Sequence, residues 1–314
     1  MASLPNALAN PSSVLRLPPG RLVDATVDGP WHEPLLWCGD KPVAPGDWAS
    51  LRAAGRDLGL LPVLLDVDTP RGGPEDWDLD PSHVSYPGDH DAREVLDSYR
   101  SDFAEDAVEG GTEDGHGDGH GDGHGHGHGH GHGAGHGAGY GHGDGHGAGH
   151  GAGYGHGDDP VGRNAAPDAW QGLAPATEPH PDPDRDAADT ADILADGVPW
   201  LHQPRPALVP ARRSADIPAA IGWTGPVNHD NDVARLCAVL RSWEDRFGAR
   251  VLALTFDQLV LSVAAPPTTL QHAEAVAAEH YAFCPDNIDQ GIHPLPRYAR
   301  EAVLDTHLWR FWWD

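Results

Sequence analysis

The chain has 314 residues, with 48 aspartates and glutamates against 20 lysines and arginines, and a formal net charge of −28. That length leaves room for about two domains, and that charge repels a phosphate backbone, so nucleic acid is not expected as a partner. The three cysteines, Cys38, Cys237 and Cys284, are odd in number and far apart, which supplies neither a disulfide framework nor a paired-Cys zinc site.

Residues 1–17 have neither a basic start nor a continuous apolar stretch, so no signal peptide is expected. The longest apolar region, 251–265, is broken by Asp257 and Gln258 and is too short to span a bilayer. A cytoplasmic location is expected, with no membrane partner.

In chain order, residues 13–106 read as an N-terminal α/β flank. Residues 34–38 form a short apolar run that predicts a buried strand. Asp47 can cap a helix carrying Trp48, Leu51 and Leu58 and closed by Gly59. Residues 60–66 then predict a second strand, giving a β-α-β impression. Asp91, with Glu94 three residues on, makes a capping pair for another helix, whose Leu96, Tyr99 and Phe103 share one face.

From 107 to 205 the composition changes. Glycine occupies every odd position from 115 to 157, with His, Asp, Ala or Tyr at the even ones, and a Pro/Asp/Ala run covers 174–195. So few large apolar residues cannot offset chain entropy, and the stretch is expected to be a disordered linker.

The last flank, 206–314, is the better-patterned half. Val233, Leu236, Cys237, Leu240, Trp243 and Phe247 recur with helical spacing, and Gly248 supplies the left-handed stop. Residues 251–256 and 259–264 read as strands joined by a tight Asp257–Gln258 hairpin. Thr268 with Gln271 three residues on predicts a capping box for a helix through Tyr281. Residues 308–314 read as a final strand, on which the adjacent Trp312 and Trp313 must point to opposite faces. The expected fold is α+β, a small mixed or antiparallel sheet with packed helices. The two flanks are expected to pack together across a long disordered His/Gly-rich insertion.

Several segments of this flank resemble a bacterial family. They are Leu208-Val-Pro-Ala-Arg-Arg, Ile221-Gly-Trp-Thr-Gly-Pro-Val-Asn, Arg246-Phe-Gly-Ala, Leu261-Ser-Val-Ala-Ala-Pro-Pro-Thr, Glu279-His-Tyr-Ala-Phe-Cys-Pro-Asp and the terminal Phe311-Trp-Trp-Asp. The family is catalogued as domain of unknown function 4253, and the resemblance covers about residues 206–314. Leu60-Leu-Pro-Val-Leu-Leu-Asp also looks like what precedes that domain in longer members. The resemblance implies a fold family and no catalytic residues, and the His-Gly tract is an insertion relative to it.

The tract carries the plainest chemistry. Twelve of the 22 histidines lie in it: His116, His120, His124, His126, His128, His130, His132, His136, His142, His146, His150 and His156. Neutral imidazole is the commonest protein ligand for zinc, copper and nickel. Alternate residues of an extended chain share a face, and the intervening glycines let the chain wrap an ion. With three or four imidazoles per tetrahedral site, twelve histidines hold about three or four ions. Ordering a glycine-rich chain costs about 1–2 kcal/mol per residue, so such sites are loose, which suits buffering of Ni²⁺ or Zn²⁺ better than catalysis. Residues 147–158 repeat 133–144 without a change; so faithful a copy also fits slippage in the DNA and a tract that is a passive spacer.

Elsewhere, Glu279, His280, Cys284, Asp286, Asn287 and Gln290 gather acid, imidazole, thiol and amide, but Pro285 works against a shared helical face for His280 and Cys284. His229-Asp230-Asn231-Asp232 reads as helix capping. His272 and His280 are eight apart and do not match a metal-binding helix pair. Trp309, Trp312 and Trp313 read as core or as a patch for a protein partner. Three functions follow. The first is a non-enzymatic protein that buffers Ni²⁺ or Zn²⁺ through the tract, without an established cofactor or catalytic residue. The second is a protein-interaction or immunity/accessory module. The least favoured is an enzyme using the Cys284/His280 region.

Overall fold

The computed structural model describes residues 6–9, 17–109 and 170–314, with side chains except at 104–109. The strands and helices are β1 (Gly20–Val23), β2 (Ala25–Thr26), β3 (Gly29–Pro30), β4 (Leu36–Gly39), α1 (Asp47–Gly55), β5 (Leu60–Asp66), α2 (Ala92–Glu109), α3 (Pro183–Ala195), β6 (Pro204–Pro210), α4 (Ile217–Ile221), α5 (Val233–Phe247), β7 (Ala249–Leu254), β8 (Gln258–Val263), α6 (Leu270–Phe283), α7 (Leu295–Tyr298) and β9 (Leu308–Trp312). Contacts divide the chain into a unit of Met1–Asp106 with Asn164–Asp314 and a second unit, Ala107–Arg163. Of the second, only the end of α2 is described.

A mixed seven-stranded sheet, ordered β1-β4-β6-β5-β7-β8-β9, runs through the first unit. Only β5 and β7 pair in parallel; the other neighbours are antiparallel. The expected α+β class with packed helices is thus the observed one. The two flanks do more than pack together, because β6 of the second lies between β4 and β5 of the first. The β-α-β impression of β4, α1 and β5 therefore describes strands that are not neighbours.

Alternation along the strands assigns the two faces. Val63 and Leu65 of β5 face the large core built on α2, α4, α5 and α6, whereas Leu64 joins a smaller cluster under α1 and α3. In β7, a register shift between Val251 and Ala253 sends the adjacent Leu252 and Ala253 into that smaller cluster, while Val251 and Leu254 face the larger.

The expectation of disorder across 107–205 is corrected for 170–205. Asp182 accepts from the Arg185 amide at 3.1 Å, Pro183 fills the first turn of α3, and Ala187, Ala191 and Leu194 are buried against Leu252 and Val260. Small residues at helical spacing let α3 approach the sheet closely, so it is buried with little hydrophobic bulk. The rest of the expected linker, with all twelve tract histidines, lies outside the described residues apart from the end of α2.

Caps shift by a residue in two places. Asp47 is the first residue of α1 rather than its cap; Gly46, at φ 85°, holds the cap position, and Asp47 accepts from the Ala44 amide at 2.8 Å. The cap of α6 is Thr269, which accepts from His272, so Thr268 and Gln271 make no capping box. The hairpin between β7 and β8 turns through Thr255, Phe256 and Asp257, with Gln258 already in the strand. It needs no glycine because the Thr255 hydroxyl accepts from the Asp257 and Gln258 amides. No helix among the described residues is long and apolar enough to cross a membrane.

Candidate functional site

The chemistry-bearing residues at the end of α6 form a latch on the last strand. Cys284 closes α6, its amide donating to the His280 carbonyl at 2.8 Å, and its thiol donates to the Trp312 carbonyl at 2.9 Å. Asn287 donates to the Arg310 carbonyl at 2.6 Å and accepts from the Trp312 amide at 3.2 Å. Asp286 accepts from the Asp314 amide at 3.1 Å. The Phe-Cys-Pro-Asp and Phe-Trp-Trp-Asp segments thus meet each other, which their separation in sequence hides.

His280 is fully buried, its ring packed among Trp243, Trp309 and Phe311. Its Nδ1 lies 3.1 Å from the Tyr298 hydroxyl, whose oxygen accepts from Asn287 Nδ2 at 3.2 Å. The Tyr298 proton therefore goes to Nδ1, which leaves the imidazole proton on Nε2, where there is no hydrogen-bond partner among the described residues. Burial first, and then the Arg246 charge, lower the His280 pKa to about 3. Burial pushes the Cys284 thiol up. A nucleophilic cysteine needs the reverse, a lowered pKa and a base within hydrogen-bond reach. Here the thiol faces a carbonyl and the imidazole faces a tyrosine, so the pair is built as structure.

A second buried group holds the returning chain. Glu279, fully buried, accepts from both Arg246 terminal nitrogens at 2.8 and 2.6 Å, from Trp243 Nε1 at 2.8 Å and from the Ala174 amide at 2.6 Å. Arg246 donates in turn to the Ala174 carbonyl at 2.8 Å. Residues 170–177 are further fixed by Thr177 on the Arg246 and Ala265 carbonyls and by His272 on Pro175. His272 is therefore an anchor and not half of a metal pair.

In the His229–Asp232 segment the expected capping is present, with Asp232 accepting from the Ala234 amide at 3.1 Å. The structure adds Asp230, which is buried and accepts from Tyr99 at 2.6 Å while paired with Arg235 at 2.8 Å. Burial, then the Asp230 bond, raises the Tyr99 pKa far above its ordinary value. Of the terminal tryptophans, Trp309 and Trp313 are buried and Trp312 is half-buried on the other face. That leaves one ring of the three for a surface role.

A cleft of about 980 Å³ opens where β6 ends and β4 begins. Trp31, Pro34 and Leu35 line it from before β4, and Tyr86, Pro87 and Asp89 from before α2. Arg212, Asp216 and Ala220 line it from the segment following β6, and Arg241 from α5. Arg241 binds Asp216 through two hydrogen bonds of 2.6 and 2.9 Å and lies against the Tyr86 ring. Arg212 is exposed and has no hydrogen bond or ion pair among the described residues. Sequence pattern does not reveal this site, because its lining comes from loops around Trp31 and Tyr86 and from residues after β6 that are far apart in the chain. Among the described residues no group of three His, Cys, Asp or Glu side chains is placed to hold a metal.

Residues 205–314 match the sequence model of a family described as Domain of unknown function (DUF4253). The expected resemblance is therefore found, with nearly the same bounds. The matched region holds β6 to β9, but β5, between β6 and β7 in the sheet, comes from outside it. No curated protein and no solved structure matches the chain.

Proposed function

We propose that the protein is a non-enzymatic metal-binding protein; the family matched at residues 205–314 is one of unknown function and supplies no activity to carry over. Its folded unit carries a His-Gly arm that takes up and releases Ni²⁺ or Zn²⁺. The observation behind this is the alternation of twelve histidines with glycine within residues 115–158. Neutral imidazoles supply the ligands, and glycine supplies the turns needed to bring three or four of them onto one ion.

The attachment of the arm suits the role. Trp170 donates to Asp97 of α2 at 2.5 Å, and Arg100 of the same helix lies over its ring at 5.1 Å. The described residues on either side of 110–169 are thus held to the same helix, α2. The interaction-module reading keeps the acidic charge of the chain and, of the terminal tryptophans, the half-buried Trp312. The enzyme reading loses its nucleophile–base pair.

The test is calorimetric titration of Ni²⁺ and Zn²⁺ into the full chain and into a full-length variant with each of the twelve tract histidines replaced by Asn. Several equivalents should bind the natural chain and none the variant, and metal should leave the melting temperature of both unchanged. Undiminished binding to the variant sinks the proposal. Metal-induced stabilisation of the variant would move the site into the folded residues.

A further inference from the structure

The cleft at the end of β6 is independent of the metal reading. Its volume, about 980 Å³, is at the upper end of small-molecule sites, about 300–1,000 Å³. The apolar part of its lining includes the rings of Trp31 and Tyr86 and the prolines Pro34, Pro81 and Pro87. Leu35, Ala219 and Ala220 add surface without side-chain hydrogen-bonding groups. Such a surface stacks flat bodies and gives little grip to extended polar ones.

The charges narrow the class. Arg241 is already neutralised by Asp216. Arg212, a cation at the cleft, has no hydrogen bond or ion pair among the described residues. Of opposite sign are Asp89, exposed and without a side-chain partner among the described residues, and Glu33, whose Oε1 lies 3.9 Å from His32 Nε2. A simple anion would enter against Glu33, Asp89 and the field of a chain with net charge −28. A simple cation would meet Arg212. A molecule with one charge of each sign satisfies both.

We propose that the cleft binds a small zwitterion with a flat apolar body, the class of the aromatic amino acids. Its carboxylate is held by Arg212, its ammonium by Glu33 and Asp89, and its ring by Trp31 and Tyr86. A guanidinium–carboxylate contact is charge-assisted and can be bidentate, which makes Arg212 the group that discriminates. The site is composite: Trp31, Glu33, Tyr86 and Asp89 lie outside the family match, and Arg212 and Arg241 inside it. The residues beyond the match therefore complete a binding site as well as a sheet.

The probes are L-tryptophan, tryptamine, which lacks the carboxylate, and indole-3-propionate, which lacks the ammonium. Each is titrated calorimetrically into the full chain at neutral pH in the presence of EDTA. L-tryptophan should bind saturably at one equivalent, and each analogue about tenfold or more weaker. Arg212→Gln should weaken L-tryptophan about tenfold and leave tryptamine unchanged. Glu33→Gln combined with Asp89→Asn should weaken L-tryptophan and leave indole-3-propionate unchanged. Arg300→Gln, an exposed charge outside the cleft, should change nothing. No saturable heat up to about 10 mM L-tryptophan, equal affinity for the three probes, or full affinity in Arg212→Gln overturns the proposal. Unchanged melting temperatures establish that these surface variants are folded.

Discussion

Cys284 Sγ donates a hydrogen bond to the main-chain carbonyl of Trp312 at 2.9 Å, and so ties the end of α6 to the final strand. Asn287 completes the tie from the same loop by bonding the Arg310 carbonyl and the Trp312 amide. β9 is an edge strand paired only with β8, so side chains of this loop satisfy backbone groups of its other edge. The loop that looked most like an enzyme's in sequence is a clasp.

Asn287→Ala leaves the Arg310 carbonyl and the Trp312 amide without their partner. A buried unmet polar group costs about 1–3 kcal/mol, so a loss of about 2–4 kcal/mol is expected by urea denaturation. Cys284→Ser keeps a donor and should cost less than Cys284→Ala. A loss below about 0.5 kcal/mol in Asn287→Ala, the range of an ordinary surface change, would mean that the clasp does not hold the strand.

All three thiols, at Cys38, Cys237 and Cys284, are buried and free. Burial raises each of them, Cys38 to about 11, and a thiol reagent attacks the thiolate. The native protein should show no reactive thiol at neutral pH, and three on unfolding. Fast labelling of native Cys284 would reopen the catalytic reading.

Acid sensitivity should come first from buried histidine. The unfolded chain protonates His280 below about pH 6.5, but the folded chain does so only near pH 3, because burial and then Arg246 oppose the charge. Stability is therefore full above pH 6.5 and falls by about 1.4 kcal/mol per unit as pH drops through the interval. His229, lowered mainly by burial, acts in the same direction. At Glu75 burial opposes ionisation but the Arg21 hydrogen bond prevails, and at Asp184 the Arg250 and Arg52 contacts do the same. Both of those contributions are lost only at lower pH, below the ordinary carboxylate range. Unfolding free energies at about pH 7, 6 and 5 should show the slope in the natural chain and a shallower one in His280→Gln, by up to about 1.4 kcal/mol per unit. Parallel slopes would contradict the assignment.

How much of this was legible depends on where the information sits. α5 could be read because Val233, Leu236, Cys237, Leu240, Trp243 and Phe247 carry its burial within one window. β5 could be read because a continuous apolar run needs no partner to announce it. α3 was missed because Ala187 and Ala191 count for little on a hydrophobicity scale, and only the sheet beneath them makes them core. Asp182 and Pro183, which start α3, sit in a run whose composition reads as linker. β6 lies between strands from the opposite end of the chain, a pairing that no local pattern encodes. The cleft was hidden for a similar reason. Arg212 and Arg213 look alike in sequence, yet Arg213 binds Glu244 and Asp245 while Arg212 has no ion pair among the described residues.

The close approach of the two flanks at the cleft gives a last test. Gly222 ends α4 at φ 66°, its carbonyl accepts from the Asp80 amide at 2.7 Å, and a Cβ there would stand 2.2 Å from the Pro81 nitrogen. The obstacle is backbone, so it cannot swing aside as a side chain would, and the left-handed conformation adds its own penalty. Gly222→Ala should cost more than about 2 kcal/mol and should push residues 80–81 away from α4. Because Pro81 lines the cleft and the same loop leads to Tyr86 and Asp89, L-tryptophan binding should weaken in step. Gly29→Ala, also at positive φ but with nothing within 4 Å of its added Cβ, controls for the backbone penalty alone. If both substitutions cost the same, the contact at Pro81 contributes nothing, and the N-terminal flank is held at the cleft by other bonds, such as that of the Ser85 amide to Asp232.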